Sequence, residues 1–299
     1  MDPHVAVVQA DGSPRPGSST AFVSWWSFTK TLLATCAMRL VEQGRLDLDR
    51  PVEGYPFTLR HLLQHRAGVG NYGGMPAYEE AIASGQAPWN DAELFARVPL
   101  DRLLFEPGSG FAYSNVGYLL VRRLVERARG TDLGTVLQDL VLKPLGLGSA
   151  RLATTREDMD ATVFTGGHGY HPGWAFHGTV VGPASEAALC LHRLLTGDLL
   201  AARSLAAMRR GQPVGGPVPG RPWMAPSYGL GLMTGTMRAP DGTPIEVLGH
   251  SAGGPGSVGA VYHAPATGRT VAVFAERDGD AAEYEAVRLL ALAERPLSI

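Results

Sequence analysis

An α+β fold is predicted from three features of the sequence. A short apolar run at residues 5–8 opens the chain, a long stretch with helical periodicity follows, and after Pro226 the pattern turns to short β-like runs separated by turn pairs. Because the late runs succeed one another without intervening helices, they read as an antiparallel meander, and the first strand completes the same sheet. The result is an antiparallel sheet flanked by helices with an all-helical insertion. Residues 1–60 and 223–299 carry the sheet, and 61–222 are mainly helical.

The elements follow in order. Residues 5–8 form the first strand, and the Gly, Pro and Ser of 12–19 make a loop. Residues 27–43 place Leu32, Leu33, Cys36, Ala37, Leu40 and Val41 at helical spacing, with Gly44 where a helix commonly closes. Ser27 then stands at a helix N-terminus. Further helices are expected at 58–65, 91–97, 116–129, 132–142, 184–196 and 201–210, with Gly/Pro loops at 68–76, 106–110, 166–173 and 211–222. Strands at 228–234, 245–249, 257–263 and 270–275 come next, with turns at Asp241-Gly242 and Thr267-Gly268, then a helix over 281–293.

The 299 residues, 45% hydrophobic and 18% charged, suffice for a large core and exclude disorder. A formal charge of −2 gives no electrostatic reason to expect nucleic acid and favours a small or uncharged partner. No run approaches the ~18 apolar residues of a membrane span, and residues 1–17 hold no basic or apolar leader segment. The expected location is cytoplasmic, a processed periplasmic or secreted form having the same appearance. Cys36 and Cys190, in apolar helical settings, read as buried thiols and not as a disulfide framework.

Only two of the 26 basic residues are lysines, Lys30 and Lys143. Arginine cannot lose its proton, so a lysine in such a chain raises a question of chemistry. Lys143 sits at a helix end, where a cation suits the dipole. Lys30 follows Ser27 by three residues, which puts amine and hydroxyl on one helix face. A neutral lysine there can take the serine proton, and the helix N-terminus offers N–H groups to a developing oxyanion. The spacing alone also arises by accident.

Tyr113-Ser114-Asn115 follows a Glu-Pro-Gly-Ser-Gly turn and precedes a helix, which makes Asn115 a candidate N-cap. As a functional element it would bring a phenol near Lys30, lowered in pKa by that cation and able to shuttle a proton. Gly249-His250-Ser251-Ala252-Gly253 lies between two strands, and two readings compete for it. One takes Gly-x-Ser-x-Gly as a nucleophile elbow with Ser251 as nucleophile. That arrangement needs an acid and then a histidine downstream, and His263 follows with no acid between.

The other reading joins all three segments. Ser27-x-x-Lys30, Tyr113-Ser114-Asn115 and His250-Ser251-Ala252 resemble, in this order, the three signature elements of the serine β-lactamase-like hydrolases. The branch is that of class C β-lactamases, penicillin-binding proteins, D-aminopeptidases and esterases. Similar flanks at 40–49, 58–68 and 105–118 extend the likeness from about residue 21 to 274. The resemblance implies a β-lactamase/transpeptidase-like fold, one catalytic unit with its site between the sheet-bearing and helical parts. It implies that Ser27 is the acylated nucleophile and that Lys30 and Tyr113 are the base pair. The N–H groups of Ser27 and Gly253 would form the oxyanion hole, and Asn115, His250, Ser251 and Ala252 would contact substrate. His250 stands where β-lactamases usually carry Lys, which argues for weak or no β-lactamase activity. Ala252 replaces the usual Gly, and its methyl would crowd an acyl group.

The implied activity is that of a serine hydrolase working through an acyl-enzyme on small carboxylic esters, or on D-amino acid amides or peptides, without a cofactor. A non-hydrolytic acyl-binding or sensor module and a transacylase use the same scaffold and stay open. His168, His171 and His177 lie in a Gly-rich loop that matches no zinc signature; it is expected to line the cleft, with Tyr170 and Trp174 as apolar walls, and no metal is expected. Gly254-x-Gly256-x-x-Gly259 precedes a strand, not the helix a dinucleotide site needs. His61 and His65 read as structural.

Overall fold

The computed structural model describes residues 2–276 and 281–292. Strands β1 (His4–Val8) and β2 (Phe22–Ser24) lead through a single 3₁₀ turn (Trp26–Phe28) into α1 (Thr29–Glu42). The middle of the chain holds α2 (Leu59–Leu63), α3 (Pro76–Ala83), α4 (Asp91–Arg97), α5 (Asn115–Arg129) and α6 (Leu133–Leu137). It continues with β3 (Arg151–Leu152), α7 (Arg156–Asp160), β4 (Val180–Pro183), α8 (Ala184–Thr196) and α9 (Ala202–Arg209). Then come β5 (Gln212–Pro213), β6 (Trp223–Tyr228), β7 (Met233–Arg238), β8 (Pro244–Gly254), β9 (Ser257–Ala264), β10 (Arg269–Glu276) and α10 (Ala281–Ala291).

Seven strands form one antiparallel sheet in the order β1-β10-β9-β8-β7-β6-β5, so the first strand closes on the last, as the sequence suggests. Val5 faces Val273 and Val7 faces Val271. The period-two alternation of each strand divides its side chains between two cores. Ala6, Val8, Ala272 and Phe274 enter the core shared with α1 and α8, while Val7, Val271 and Val273 pack on Ala286, Val287 and Leu290 of α10. Cover on both faces explains why β9 and β10 read as nearly unbroken apolar runs.

The structure departs from the sequence expectations in several places. Residues 228–234 are not one strand: β6 ends at Tyr228, and the turn before Met233 tucks against α1. There the Gly231 carbonyl accepts a 2.7 Å bond from the Thr31 hydroxyl and its N–H donates to the Leu63 carbonyl at 3.2 Å. Gly231 has φ +72°, and a Cβ would collide with that of Ala34, so only glycine lets the turn sit this close. Strand β8 runs on to Gly254, which places His250, Ser251 and Ala252 inside a strand, opposite Val261, Ala260 and Gly259. The helix expected over 132–142 is α6 followed by a widened π turn at Gln138–Leu142. Helix α3, with Pro76 at its first position, and the small β2-β4-β3 sheet were not expected. Residue 293 of the expected last helix lies outside the described residues. Cys36 and Cys190 are buried free thiols. No described helix is long and apolar enough to cross a membrane.

Candidate active site

Ser27 lies in the 3₁₀ turn ahead of α1, one residue after a strained position. Trp26 has φ +40°, a conformation that bulky side chains rarely adopt. Its surroundings hold it there: the indole N–H donates to Ser257 Oγ at 2.8 Å, and the ring meets Tyr170 edge-on at 5.5 Å. Gly254 leaves room for it, since a Cβ at that position would lie 2.5 Å from the indole. Val180 N–H donates to Thr29 Oγ1 at 2.9 Å and so ties the start of α1 to β4.

From this turn, Lys30 Nζ reaches Ser27 Oγ at 3.0 Å. The lysine is fully buried, and the polar side chains in contact with it are Ser27 and His177, whose Nε2 stands 3.1 Å from Nζ. The rings of Tyr113 and Tyr118 face the nitrogen at 5.0 and 5.7 Å. With no carboxylate among the described residues to offset the loss of hydration, burial holds the Lys30 pKa well below the usual lysine range. The amine is thereby set up to be neutral. Lys143, by contrast, is exposed and lies 3.7 Å from Asp139.

Tyr113 approaches Ser27 from the loop before α5. Its ring lies tilted against His65 at 4.2 Å between centroids, and His65 in turn accepts the Ser114 N–H on Nδ1 at 3.0 Å. The expectation of a lowered phenol pKa is corrected: burial, the largest influence, pushes it up, and the Ser27 hydroxyl only partly offsets this. Burial thus favours the protonated phenol. The capping expectation is corrected as well, because Ser114 caps α5, accepting from Gly117 N–H at 2.9 Å. Asn115 is the first helical residue; its N–H donates to Asn71 Oδ1 at 3.0 Å, and its own Oδ1 is buried without a partner.

Ser27 and Gly253 line two adjoining lobes of a cleft. One, of about 550 Å³, is walled by Phe111, Tyr113, Trp223, Met233, Ser251 and Ala252. The other, of about 420 Å³, is walled by Trp26, Tyr72, Tyr78, Asn115, Tyr170 and His177. A larger cavity of about 930 Å³ between Trp223 and α10 has no Ser, Cys, Lys or His among its described walls.

Two residues expected to line the cleft sit one layer back. Trp174 is buried behind Tyr78, which it meets edge-on at 5.5 Å. His250 lies under Tyr113, fully buried, with Nε2 2.8 Å from Tyr228 Oη and Nδ1 2.5 Å from the Ser251 carbonyl. Burial, with Lys30 nearby, pulls its pKa down to about 3, so it is a neutral imidazole. Ser251 has no base: its hydroxyl faces Met233 Sδ and Arg221 Nη2, each at 3.4 Å, and His263 is bonded to Thr270 Oγ1 at 2.9 Å. With Ser251 inside an antiparallel strand, the elbow reading falls.

The three histidines of the Gly-rich loop diverge. His168 meets the Thr162 carbonyl at 3.0 Å, His171 accepts from Gly173 N–H at 3.0 Å, and His177 is on Lys30. His61 closes the capping box of α2, as a structural residue does. Sequence reasoning missed the pairing of His177 with Lys30. It also missed the Arg221–Glu283 ion pair in the wall of the larger lobe, where Nε to Oε2 is 2.7 Å.

An antiparallel sheet covered by helices, with a serine and a buried lysine at the head of the central helix, defines a class, and the sequence comparison agrees. The chain belongs to the Beta-lactamase family, whose family model matches residues 5–294. It is 30% identical over 161 residues to Esterase EstB of Burkholderia gladioli, which covers 47% of this chain and 41% of that protein. It is 27% identical over 157 residues to Penicillin-binding protein 4* of Bacillus subtilis (strain 168), 48% of this chain and 33% of that one. The chain thus spans about a third to two-fifths of the length of these relatives. Its fold is similar to that of the D-stereospecific amidohydrolase from Streptomyces sp., with a TM-score of 0.76 at 22% identity over 97% of this chain and 94% of that one.

Proposed function

We propose that the protein is a serine hydrolase that forms an acyl-enzyme on Ser27, with small carboxylic esters as first substrate class and D-amino acid amides or peptides as second. The observation that carries the proposal is the 3.0 Å contact between Ser27 Oγ and a fully buried lysine that has no carboxylate partner among the described residues. A neutral Lys30 takes the Ser27 proton as Oγ attacks the carbonyl. The N–H groups of Ser27 and Gly253 receive the oxyanion. Tyr113, whose phenol burial keeps protonated, hands a proton to the leaving group, and Lys30 restores it. Water then releases the acid by the reverse sequence.

Uncharged acyl groups suit the site better than anionic ones. The third signature element presents a neutral, buried His250 and not a cation, which supports weak or no β-lactamase activity. Ala252 narrows the larger lobe beside Ser27.

Intact-protein mass spectrometry after a fluorophosphonate probe, and separately a p-nitrophenyl ester, tests the proposal. Labelling and turnover in the parent, both lost in Ser27→Ala, are expected. Folded Ser27→Ala and Lys30→Ala variants that hydrolyse the ester as fast as the parent would end it.

A further inference from the structure

A neutral primary amine has two N–H bonds and one lone pair, and only the lone pair can take a proton from serine. Around Lys30 Nζ the two aromatic faces, Tyr113 and Tyr118, accept N–H donors and offer nothing to a lone pair. The lone pair therefore has two possible partners, the Ser27 hydroxyl at 3.0 Å and His177 Nε2 at 3.1 Å. The histidine tautomer decides between them. A proton on His177 Nε2 would occupy the lone pair and leave the base idle.

The protein anchors the backbone on either side of this imidazole. The preceding Phe176 carbonyl accepts from Arg122 Nη1 at 3.1 Å, and the following Gly178 N–H donates to the Ala175 carbonyl at 2.6 Å. Two residues further on, β4 is bonded to the start of α1 through Thr29. The residue is 5% exposed, and its Nδ1 is buried without a partner among the described residues. His65 also leaves one buried nitrogen unpaired, but its paired nitrogen accepts a backbone N–H, that of Ser114. In His177 the paired nitrogen is the one that faces the base.

We propose that His177 is a positioning residue for Lys30: its Nε2 accepts an N–H from Nζ, which turns the lysine lone pair onto the Ser27 hydroxyl. When Ser27 Oγ attacks, the serine proton moves to Nζ, and Nε2 holds the ammonium that forms. The imidazole does the work of a carboxylate without adding a charge that would keep the lysine protonated in the resting site. The titratable and charged groups facing His177 are Lys30, His65, His250 and Arg122, with the rings of Tyr113 and Tyr118 on the far side of Lys30 Nζ. None of these is a carboxylic acid, so the acid limb of activity belongs to Lys30 and His177 jointly.

The assignment rests on Ser27 as nucleophile and Lys30 as its base, and the test separates the two. Fluorophosphonate labelling rates and kcat/KM against pH are compared for the parent, His177→Leu and His177→Gln. Leu fills space without an acceptor, whereas Gln restores an acceptor oxygen. His177→Leu is expected to lose about 10- to 100-fold in labelling rate and kcat/KM with KM little changed, and to displace the acid limb. His177→Gln should recover most of the rate. A folded Leu variant with the parental rate and profile, or a Gln variant as slow as Leu, overturns the proposal. Nitrogen-15 histidine shifts of the parent decide it independently of any variant: Nδ1–H is expected, and Nε2–H at the working pH overturns it. A parent that does not label at Ser27 removes the hydrolase reading itself.

Discussion

Tyr228 Oη and His250 Nε2 face each other at 2.8 Å in the buried layer under Tyr113. Because His250 Nδ1 is already engaged with the Ser251 carbonyl, this bond completes the imidazole's partners. Tyr228→Phe strands Nε2 in a dry site, and a loss of about 1–3 kcal/mol is expected in urea unfolding. Labelling of Ser27 should persist at a reduced rate. An unchanged unfolding midpoint would show that the bond contributes nothing.

Stability should fall in mild acid. Burial, the largest cause for each, holds His65, His177, His250 and His263 below their usual value of 6.5, His250 at about 3 and His263 at about 4. On unfolding each recovers that value, so below about 6.5 the unfolded chain binds more protons than the folded one. No penalty operates above that pH. Beneath it each group costs up to about 1.4 kcal/mol per pH unit until its folded pKa is reached. Melting temperature is expected to drop steeply between pH 6.5 and 4, and a flat profile there would contradict the burial of these rings.

Lys30 trades stability for chemistry. At neutral pH the unfolded lysine is protonated while the buried one is held towards the neutral form, which costs folding free energy. Lys30→Met keeps the volume and removes that cost. Because it also leaves the buried His177 Nε2 without its partner, it should melt close to the parental temperature yet lose at least about 10²-fold in ester turnover. Lys30→Arg should be equally inactive, because a guanidinium does not give up its proton. A Met variant that melts well below the parent and retains turnover would refute both halves.

Gly254→Ala drives a methyl into the Trp26 indole. A cost of about 1–3 kcal/mol is expected, by calorimetry. Ser27 follows Trp26 directly, so the labelling rate should fall in the same variant. Full labelling beside lowered stability would show that the Trp26 conformation does not govern the nucleophile.

Local spacing made part of this site legible. Ser27 and Lys30 meet because residues three apart share a helix face, which needs no knowledge of the rest of the fold. His177 was beyond reach, since its contact with Lys30 spans 147 positions and depends on how β4 docks on α1. The closing of β1 on β10 followed from apolar runs, whereas the end of β8 did not. Gly253 and Gly254 look like punctuation in sequence, yet β8 continues through them, and Gly254 is there for the indole that packs on it. The run at 228–234 misled for a related reason: Gly229 and Gly231 sit between apolar residues whose alternation resembles a strand, while their role is close approach to α9 and α1. The phenol pKa of Tyr113 was misjudged because depth of burial, unlike proximity to a cation, is not written in a motif.

Scarcity of lysine makes the molecule a convenient substrate for bioconjugation. An amine-directed reagent in bulk solution meets Lys143, whose side chain is 70% exposed, while Lys30 is shielded. Dyes or resin tethers can therefore be attached through Lys143 without touching the base. A reagent small enough to enter the cleft and modify Lys30 would instead mark, by one added mass, the moment the site is opened.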